Sequence, residues 1–411
     1  MDHEEGARVR DATAFGKRLR ELRNWRGLTL REAAGLAGLS FSFWGQVERG
    51  EQAVNSRRTL EAMATVLRVH PSELTGQPWM TRDAAGAEAH AGLLAIETAL
   101  ERYDLGTDPE LPVRDWPEIQ VDLDRLVRFK GTADYAAMGE LAPALIGELH
   151  GAYLRLPRRH RDVLIGLMEV YSVAMWTTKV LGGRGLPALA ARAVQRCAEV
   201  LGDVVWLGYA VWLRGDATGH LDRAGQYRRS VAAAENMTGM LDCGDALQAC
   251  GELHLSAALA AGAQADHATA ATHLEEASAL AARMDTEVGD WGHLWFGPTN
   301  VGIWRTAVAV ELGEHGQALE VAKTVHPELL PAPGHQARFW MSVGRALVAE
   351  RKTREEGLRV LLRAERLAPQ LVRNDLFVRE AVADLLRRAR RDAGGRELRG
   401  LAWRLGIAPT G

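Results

Sequence analysis

A short stretch of the chain carries side chains whose chemistry suits the reading of base edges in a DNA groove. They are small and polar, basic, or aromatic, and all fall within ten residues: Ser40, Phe41, Ser42, Gln46 and Arg49. Hydroxyl, amide and basic groups can exchange hydrogen bonds with bases, and an aromatic ring can pack against a thymine methyl group. Trp44 and Val47 fall between them, one turn apart on the opposite, buried side of a helix. The pattern predicts a helix that enters a major groove.

Capping signals predict a second helix that positions the first. Thr29 is a good N-cap, and Glu32 completes a capping-box pattern for a helix predicted over Leu30 to Ala37. Gly38 ends that helix where a positive φ is wanted. Ser40 then caps the groove-reading helix, so the spacing predicts two short helices joined by a tight turn.

The segment from Gly27 to Gly50 resembles the helix-turn-helix of the Cro/repressor-like (XRE) family of transcription regulators. The matching positions are the small residue, the turn glycine, the apolar core and the end of the recognition helix: Ala34, Gly38, Leu39, Trp44, Val47 and Glu48-Arg49-Gly50. The resemblance extends from about Phe15 to Gly76. Leu30 departs from it, because the family often has a glutamine there that touches the DNA backbone. The resemblance implies a five-helix domain that binds a double-stranded DNA operator.

Basic residues around this motif indicate phosphate binding. Eight basic and two acidic residues lie between positions 8 and 31, a footprint expected beside a DNA-reading helix. The residues assigned to phosphates are Arg18, Thr29, Arg31, Asn55, Arg57 and Arg58. Arg57 and Arg58 fall in the first turn of a predicted helix, where the helix dipole disfavours cations, and a nearby phosphate would offset that cost. The alternative for such a patch is a solvated helix face.

Composition and cysteine usage predict a cytoplasmic protein. The 411 residues, 47 % hydrophobic and 25 % charged with a net charge of −3, suffice for two or three domains. Three cysteines form neither a disulfide framework nor a zinc spacing. The longest apolar run, Val204 to Leu213, is about half of what a membrane-spanning helix needs, and the N-terminus lacks an apolar signal core. No membrane segment, metal or cofactor is expected.

Beyond position 88 the pattern is helical almost throughout, with proline and glycine breaks at the spacing of helical hairpins. In the clearest repeat, Ala337 to Pro369, three residues and the final proline resemble the second helix of a tetratricopeptide repeat: Gly357, Leu361, Ala364 and Pro369. We therefore expect an all-α protein with a tetratricopeptide-like α-solenoid. The predicted segments are a helix-turn-helix domain over 12–76, a linker over 77–87 and the repeat domain over 88–411.

The repeat domain shows no catalytic signature. It has no glycine-rich phosphate loop, no Gly-x-Ser-x-Gly elbow and no His-Glu-x-x-His. Glu252 and His254 lack a metal partner at ligand spacing and fit a polar core pair or solvated residues better. We do not expect an enzyme.

The stretch from Asp290 to Arg305 is unusually rich in aromatic residues and holds several polar groups. These residues, with one tryptophan of the following repeat, predict a site for a peptide or small molecule on the concave face of the solenoid. They are Trp291, His293, Trp295, Asn300, Trp304, Arg305 and Trp340. The alternative is that the tryptophans are core wedges, that Gly297-Pro298 is a turn and that Asn300 caps the next helix.

The order of the segments is similar to that of a group of large actinobacterial regulators and, by architecture, to repeat-containing quorum-sensing regulators that bind short peptides. The sequence thus predicts a transcription regulator whose repeat domain dimerises and senses a small molecule or peptide. A homodimer is expected because one helix-turn-helix offers a small contact surface for a two-fold operator. The alternative is a DNA-tethered scaffold that binds a protein partner and no small ligand.

Overall fold

The computed structural model describes residues 14–77, 79, 84–389 and 395–407, and every regular element in these ranges is helical. The predicted all-α class is confirmed. Positions 12 and 13 of the predicted head, positions 78 and 80–83 of the predicted linker, and positions 390–394 and 408–411 of the predicted repeat domain lie outside the described residues. The segments 14–77 and 84–407 are called the head and the body below.

The head consists of five helices, as predicted. They are α1 (Ala14–Trp25), α2 (Leu30–Leu36), α3 (Phe41–Glu48), α4 (Arg57–Leu67) and α5 (Pro71–Thr75). The capping box is present: the Thr29 hydroxyl accepts a hydrogen bond from the Glu32 amide, and the Glu32 carboxylate accepts one from the Thr29 amide. Ser40 caps α3, and Gly38 adopts a φ of +64° in the turn between them. Local hydrogen bonding therefore begins both helices where the sequence predicts.

The core of the head is closely packed. Leu19, Trp44, Met63 and Leu67 are fully buried. Gly16 allows α1 to lie directly against the end of α3, since a Cβ at this position would be 2.4 Å from the Val47 carbonyl oxygen. This packing fixes the orientation of α3 relative to the other helices.

The body adds sixteen helices in the described residues. They are α6 (Ala84–Arg102), α7 (Trp116–Thr132), α8 (Tyr135–Arg155), α9 (His160–Val180), α10 (Leu186–Leu201), α11 (Val204–Thr218), α12 (Arg223–Glu235), α13 (Gly244–Gly262), α14 (His267–Ala281), α15 (Pro298–Glu311), α16 (His315–Ala322), α17 (Pro333–Ala349), α18 (Arg354–Leu367), α19 (Pro369–Arg373), α20 (Leu376–Arg388) and α21 (Arg396–Arg404). Since α6 begins at Ala84, the last residues of the predicted linker are helical.

Successive body helices pack on one another, and small residues let them cross closely. In the predicted repeat, α17 and α18 cross where a Cβ at Gly344 would be 2.6 Å from Leu361 and one at Gly357 would be 2.9 Å from the Val348 amide nitrogen. The small positions recognised in the sequence thus mark the helix crossing. The tetratricopeptide likeness of the whole body stays a prediction.

Among the described residues, one segment, Pro157–Val180, is long and apolar enough to cross a membrane by length and composition. Of its most apolar window, 72 % is buried inside the protein. It packs against α8 and α10 as a central helix of the body.

Candidate nucleic-acid interface

The residues predicted to face bases lie on one outward side of α3. Ser40, Phe41, Ser42 and Arg49 are exposed, and Gln46 is half-buried. The Ser40 hydroxyl accepts a hydrogen bond from the Phe43 amide and keeps its own proton to donate. This surface combines hydroxyl, amide, guanidinium and aromatic groups in reach of a common partner.

Two arginines frame this surface. The Arg31 guanidinium lies 5.9 Å from the centre of the Phe41 ring, and Arg49 is paired with Glu51 at 2.9 Å. Both pairs are at the surface, where an ion pair contributes little and exchanges readily for another partner. Either arginine can therefore turn to a nucleic acid at small cost.

Glu48 has a structural role that the sequence motif did not reveal. Its carboxylate is almost fully buried and accepts hydrogen bonds from Arg23 at 2.6 Å, from the Trp44 indole at 2.8 Å and from Arg20 at 3.3 Å. Burial alone would raise the pKa of Glu48, but the Arg23 and Trp44 hydrogen bonds outweigh it and hold the pKa below its usual value. Two charges of the basic N-terminal patch therefore hold α1 against α3.

The predicted phosphate residues on the α1 and α2 side have local partners. Arg18 donates from Nε to the Glu73 carbonyl at 3.3 Å, and the Thr29 hydroxyl donates to the Glu32 carboxylate at 2.7 Å. Arg31 and Arg18 remain exposed. The Glu73 carboxylate pairs with Arg184 of the body at 2.9 Å, so the Arg18 side also lies near the body.

Of the predicted phosphate residues at the start of α4, Arg57 pairs with the body, Asn55 contacts it through its carbonyl, and Arg58 is exposed. The Glu311 carboxylate, at the end of α15, accepts a hydrogen bond from the Arg57 amide at 2.8 Å and pairs with the Arg57 guanidinium at 2.5 Å. Arg345 of α17 donates to the Asn55 carbonyl at 2.6 Å and lies 3.3 Å from the same carboxylate. Arg58 is exposed and has no ion pair within the described part of the chain.

Glu311 is held as a carboxylate at this position. Its side chain is 1 % exposed. Burial would raise the pKa of Glu311, yet the Arg57 and Arg345 charges hold that pKa below the usual value. The contacts between residues 55–57 of the head and Glu311 and Arg345 of the body are called the head lock below.

Further contacts dock the head on the body. Phe377 of α20 is buried against the apolar core of the head, and the guanidinium of Arg345 lies 4.5 Å from its ring centre. Arg223 of α12 makes two hydrogen bonds to Glu61 of α4, at 2.5 and 3.1 Å. The His70 and His220 rings share a hydrogen bond of 2.9 Å, and burial lowers the pKa of His220 to about 3. This ring pair is therefore uncharged at neutral pH.

A cleft separates the head and body beside the head lock. It has a volume of about 280 Å³ and is lined by the α2–α3 turn and the start of α4 on one side, and by the loops before α14 and between α15 and α16 on the other. Arg58, His267 and His315 bring polar groups to its walls.

The residues predicted to bind a ligand in the body are distributed among contacts within the protein. Trp291 and Trp295 are 8 % and 6 % exposed. His293 is 2.6 Å from the Glu169 carboxylate, and Asn300 donates to Glu252 at 2.8 Å. The cap of α15 is Gly297, so Asn300 is an internal helix residue and not the cap considered from the sequence.

The remaining members of that set also have protein partners. Arg305 donates to Glu275 at 2.7 Å and to Ser278 at 2.8 Å, while Trp304 and Trp340 are half-buried. The Arg363 guanidinium covers Trp340 at 3.8 Å from the ring centre. The structure does not bring the seven residues together around one cavity, and their assignment to a ligand stays a prediction.

Within the described ranges, no group of three or more histidine, cysteine, aspartate or glutamate side chains is placed to hold a metal ion. Cys197 and Cys250 are buried and Cys243 is exposed, all as free thiols. The interface described above therefore rests on hydrogen bonds, ion pairs and aromatic contacts.

Residues 14–75 match a family model described as a helix-turn-helix domain. The full chain has no significant match among curated proteins or solved structures. The family match spans all five head helices, so the head is a helix-turn-helix DNA-binding domain.

Proposed function

We propose that this protein is a sequence-specific DNA-binding transcription regulator in which the body restrains the head and releases it in response to a ligand. The observation that carries the proposal is the position of Glu311. A carboxylate sits at the N-terminus of α4, where the sequence places a DNA phosphate. The N-terminus of a helix attracts anions through its free amide groups and its dipole.

The carboxylate and a phosphate are alternative occupants of that position. Arg57 directs both its amide and its guanidinium to Glu311, and the Asn55 carbonyl is held by Arg345. A DNA backbone that used Arg57 would displace the Glu311 oxygens. Breaking a buried ion pair without replacing it costs about 3–5 kcal/mol, whereas exchange for a phosphate recovers most of that cost. The head lock therefore lowers DNA affinity without abolishing DNA binding.

The exposed, outward side of α3 also supports the proposal. Ser42 and Arg49 are exposed while the head lock is closed. The base-reading surface is thus ready before the phosphate-binding segment is free. The restraint acts on the affinity for DNA and leaves the sequence preference of α3 intact.

The proposal includes a homodimer and an effector. A single head presents a small surface, and two heads on a two-fold operator would double it. The body is large enough to supply both a dimer contact and a ligand site that shifts the position of the heads. Light scattering on the protein bound to its operator tests the dimer, since one chain on each DNA duplex would contradict it.

The substitution Arg345→Met tests the head lock. It removes the Asn55 contact and one partner of Glu311 while retaining the apolar stem of the side chain. We expect DNA affinity to rise about 10-fold, because the substitution removes part of the restraint on the head. A 10-fold change in affinity corresponds to roughly 1.4 kcal/mol. The sign is diagnostic, since removal of a cation from a DNA-binding protein ordinarily weakens binding. The measurement is fluorescence anisotropy on a duplex selected from random DNA by the wild-type protein.

The matched control is Arg359→Met on α18, an exposed arginine far from the head in sequence. It should leave affinity unchanged. Equal or weaker binding by a correctly folded Arg345→Met protein would contradict the head lock. A protein partner that co-purifies with the chain, together with DNA affinity that no small ligand alters, would favour the scaffold function instead.

A further inference from the structure

We infer that the two ends of the body enclose an anion-binding site whose ligand is a small molecule with a carboxylate or phosphate group. The inference deepens the proposed function, on which it rests for the role of the ligand, by naming the chemistry of the effector. The site is a small cavity between α7, α8, α9 and α17. Trp295 of the aromatic stretch packs beside it, 4.8 Å from the His335 ring, but does not line it.

The cavity lies where the beginning and the end of the body meet. A Cβ at Gly334, in the first turn of α17, would be 3.2 Å from the Gly131 carbonyl oxygen at the end of α7. Gln370 of α19 donates to the Asp134 carboxylate at 2.9 Å and accepts from the Ala136 amide at 3.1 Å. These contacts join segments that are more than 200 positions apart and are called the seam below.

Four polar side chains at the seam line the cavity. They are Lys130, Tyr135, His335 and Arg338. The Lys130 ammonium is fully buried with all three of its protons unused. The Arg338 guanidinium contacts only the face of Trp176, at 4.8 Å from the ring centre. Buried donors are nearly always paired, so the unpaired Lys130 ammonium indicates a missing acceptor.

Among the residues that the structure describes, no acidic side chain lines the cavity. The nearby Asp216 is paired with Lys179 at 2.6 Å, and Glu169 is paired with His293 at 2.6 Å. The Lys179 ammonium lies 4.9 Å from the centre of the Trp176 ring, and Asp216 balances its charge. The Glu169 charge acts on Lys130 without a hydrogen bond to it, so the Lys130 and Arg338 cations lining the cavity favour an anion that can accept their protons.

Size and protonation agree with this chemistry. The cavity has a volume of about 30 Å³, which suits one charged group and not a whole cofactor. Burial lowers the pKa of Lys130 to about 8, so the ammonium is still charged at neutral pH. Burial also lowers the pKa of His335 to about 3, which leaves a neutral ring able to donate one hydrogen bond.

Helix α17 connects this site to the head lock. Arg338 and Arg345 are seven positions apart, two turns along the same side of the helix. Arg345 holds the Asn55 carbonyl of the head. An anion that draws Arg338 and Lys130 together fixes α17 against α7, and therefore acts on the helix that carries the head lock.

The test is the melting temperature of the full chain titrated with inorganic phosphate and, separately, with acetate at constant ionic strength set by sodium chloride. We expect a saturable rise of about 3 °C at a hundredfold excess over the dissociation constant. A rise with phosphate alone identifies a phosphate ligand, and a rise with acetate alone identifies a carboxylate ligand. Arg338→Gln and Lys130→Met should remove the rise, and the exposed control Arg359→Gln should retain it.

Lys130→Met also provides a check on folding. It replaces an unpaired buried charge with an apolar side chain of similar length, so without added anion it should melt at or above the wild-type temperature. A rise that does not saturate and is equal in all four proteins is a general salt effect and would overturn the inference. Absence of any rise with either anion would do the same. Neither result bears on the head lock, because Arg345→Met is assayed on DNA without added phosphate or acetate.

Discussion

The two sides of the DNA-binding surface of the head face different surroundings. Ser42 and Arg49 on α3 face solvent, whereas Arg57 at the start of α4 faces the body and is paired with Glu311. The first side would read bases and the second would hold a phosphate. In protein–DNA complexes, phosphate contacts supply much of the affinity and base contacts supply the sequence preference. Under the proposed function, a body that covers only the second side would change how tightly the protein binds DNA and not which operator it binds.

The comparison also separates two buried glutamates with different partners. Glu48 lies inside the head and pairs with residues of α1 and α3, so its contacts persist whether or not the body is docked. Glu311 belongs to the body and pairs with the head, so its contacts with the head exist only in the docked arrangement. Glu48 therefore stabilises the fold of the head, whereas the contacts of Glu311 with the head distinguish the docked arrangement from an undocked one.

The largest expected effect comes from a substitution that destabilises the head and so removes the exposed base-reading surface of α3. Glu48→Ala leaves Arg23 and the Trp44 indole without their acceptor, and we expect a loss of about 3–5 kcal/mol in the stability of the head. Specific DNA binding should disappear, while the body stays helical. Circular dichroism and hydrogen exchange measure the fold, and anisotropy measures binding. Glu21→Ala, which removes an exposed glutamate of α1, is the matched control; similar behaviour of the two variants would contradict the role of Glu48.

The second-largest expected effect concerns the sequence preference of the base-reading surface on α3. Gln46→Ala removes a half-buried amide from the outward face of α3. We expect the preference at one or two operator positions to fall about 10-fold, since a good base contact contributes about 1–3 kcal/mol of discrimination. Selection from random duplexes reads out the preference. The salt dependence of binding should not change, and uniform weakening across all sequences would assign Gln46 to the DNA backbone instead.

A smaller effect distinguishes the free phosphate residue from the locked one. Arg58→Ala should weaken binding to all sequences several-fold and lower the slope of log affinity against log salt by about one. Arg57→Ala should cost less, because it removes a phosphate contact and also loosens the hold of Glu311. Anisotropy titrations at several salt concentrations compare the two arginines. Equal losses of DNA affinity in both variants would mean that the head lock does not lower DNA affinity.

The smallest effect tests whether general stability of the body, and not the head lock, controls DNA binding. Burial raises the pKa of Glu252 to about 8, well above its usual value of about 4.5, so the folded protein binds a proton that the unfolded chain releases between these values. The contribution of Glu252 to stability is therefore lost as pH rises from about 4.5 to 8. Glu252→Gln cannot ionise and should melt a few degrees above wild type at pH 8.5, with a smaller difference at pH 5.

DNA affinity should be the same for Glu252→Gln and wild type, since Glu252 contacts Asn300 and not the head. Glu276→Gln, an exposed glutamate on the next helix, is the control and should show no such pH-dependent gain. A Glu252→Gln protein that is more stable and also binds DNA differently would show that the stability of the body as a whole is coupled to the head.

Much of the head could be predicted because its signals are local. Thr29 and Glu32 are three positions apart and satisfy each other's hydrogen bonds, so the start of α2 is set by residues within one turn. Ser40 acts in the same way on α3. The periodicity of Trp44 and Val47 likewise identifies the buried side of a helix before any tertiary contact is known. The same logic identified the close crossing at Gly357 in the body.

The head lock and the seam could not be predicted in this way. Arg57 and Glu311 are 254 positions apart, and Lys130 and Arg338 belong to opposite ends of the body. The sequence argument that Arg57 needs a nearby anion was sound, but it could not tell a phosphate of DNA from a carboxylate of the same chain. The aromatic stretch from 290 to 305 shows the converse: a conspicuous composition whose side chains the fold distributes among separate contacts.

The sequence by itself determined the all-α class, the helix-turn-helix head, its caps and its outward side, because these depend on hydrogen bonds and periodicity over a few residues. Only the tertiary structure decided which charges meet. The long-range contacts at the seam form because the array of body helices brings α17 and α19 back against α7 and α8. The course of the array depends on many crossing angles, each set by packing between neighbouring helices. No local sequence pattern predicts their combined effect.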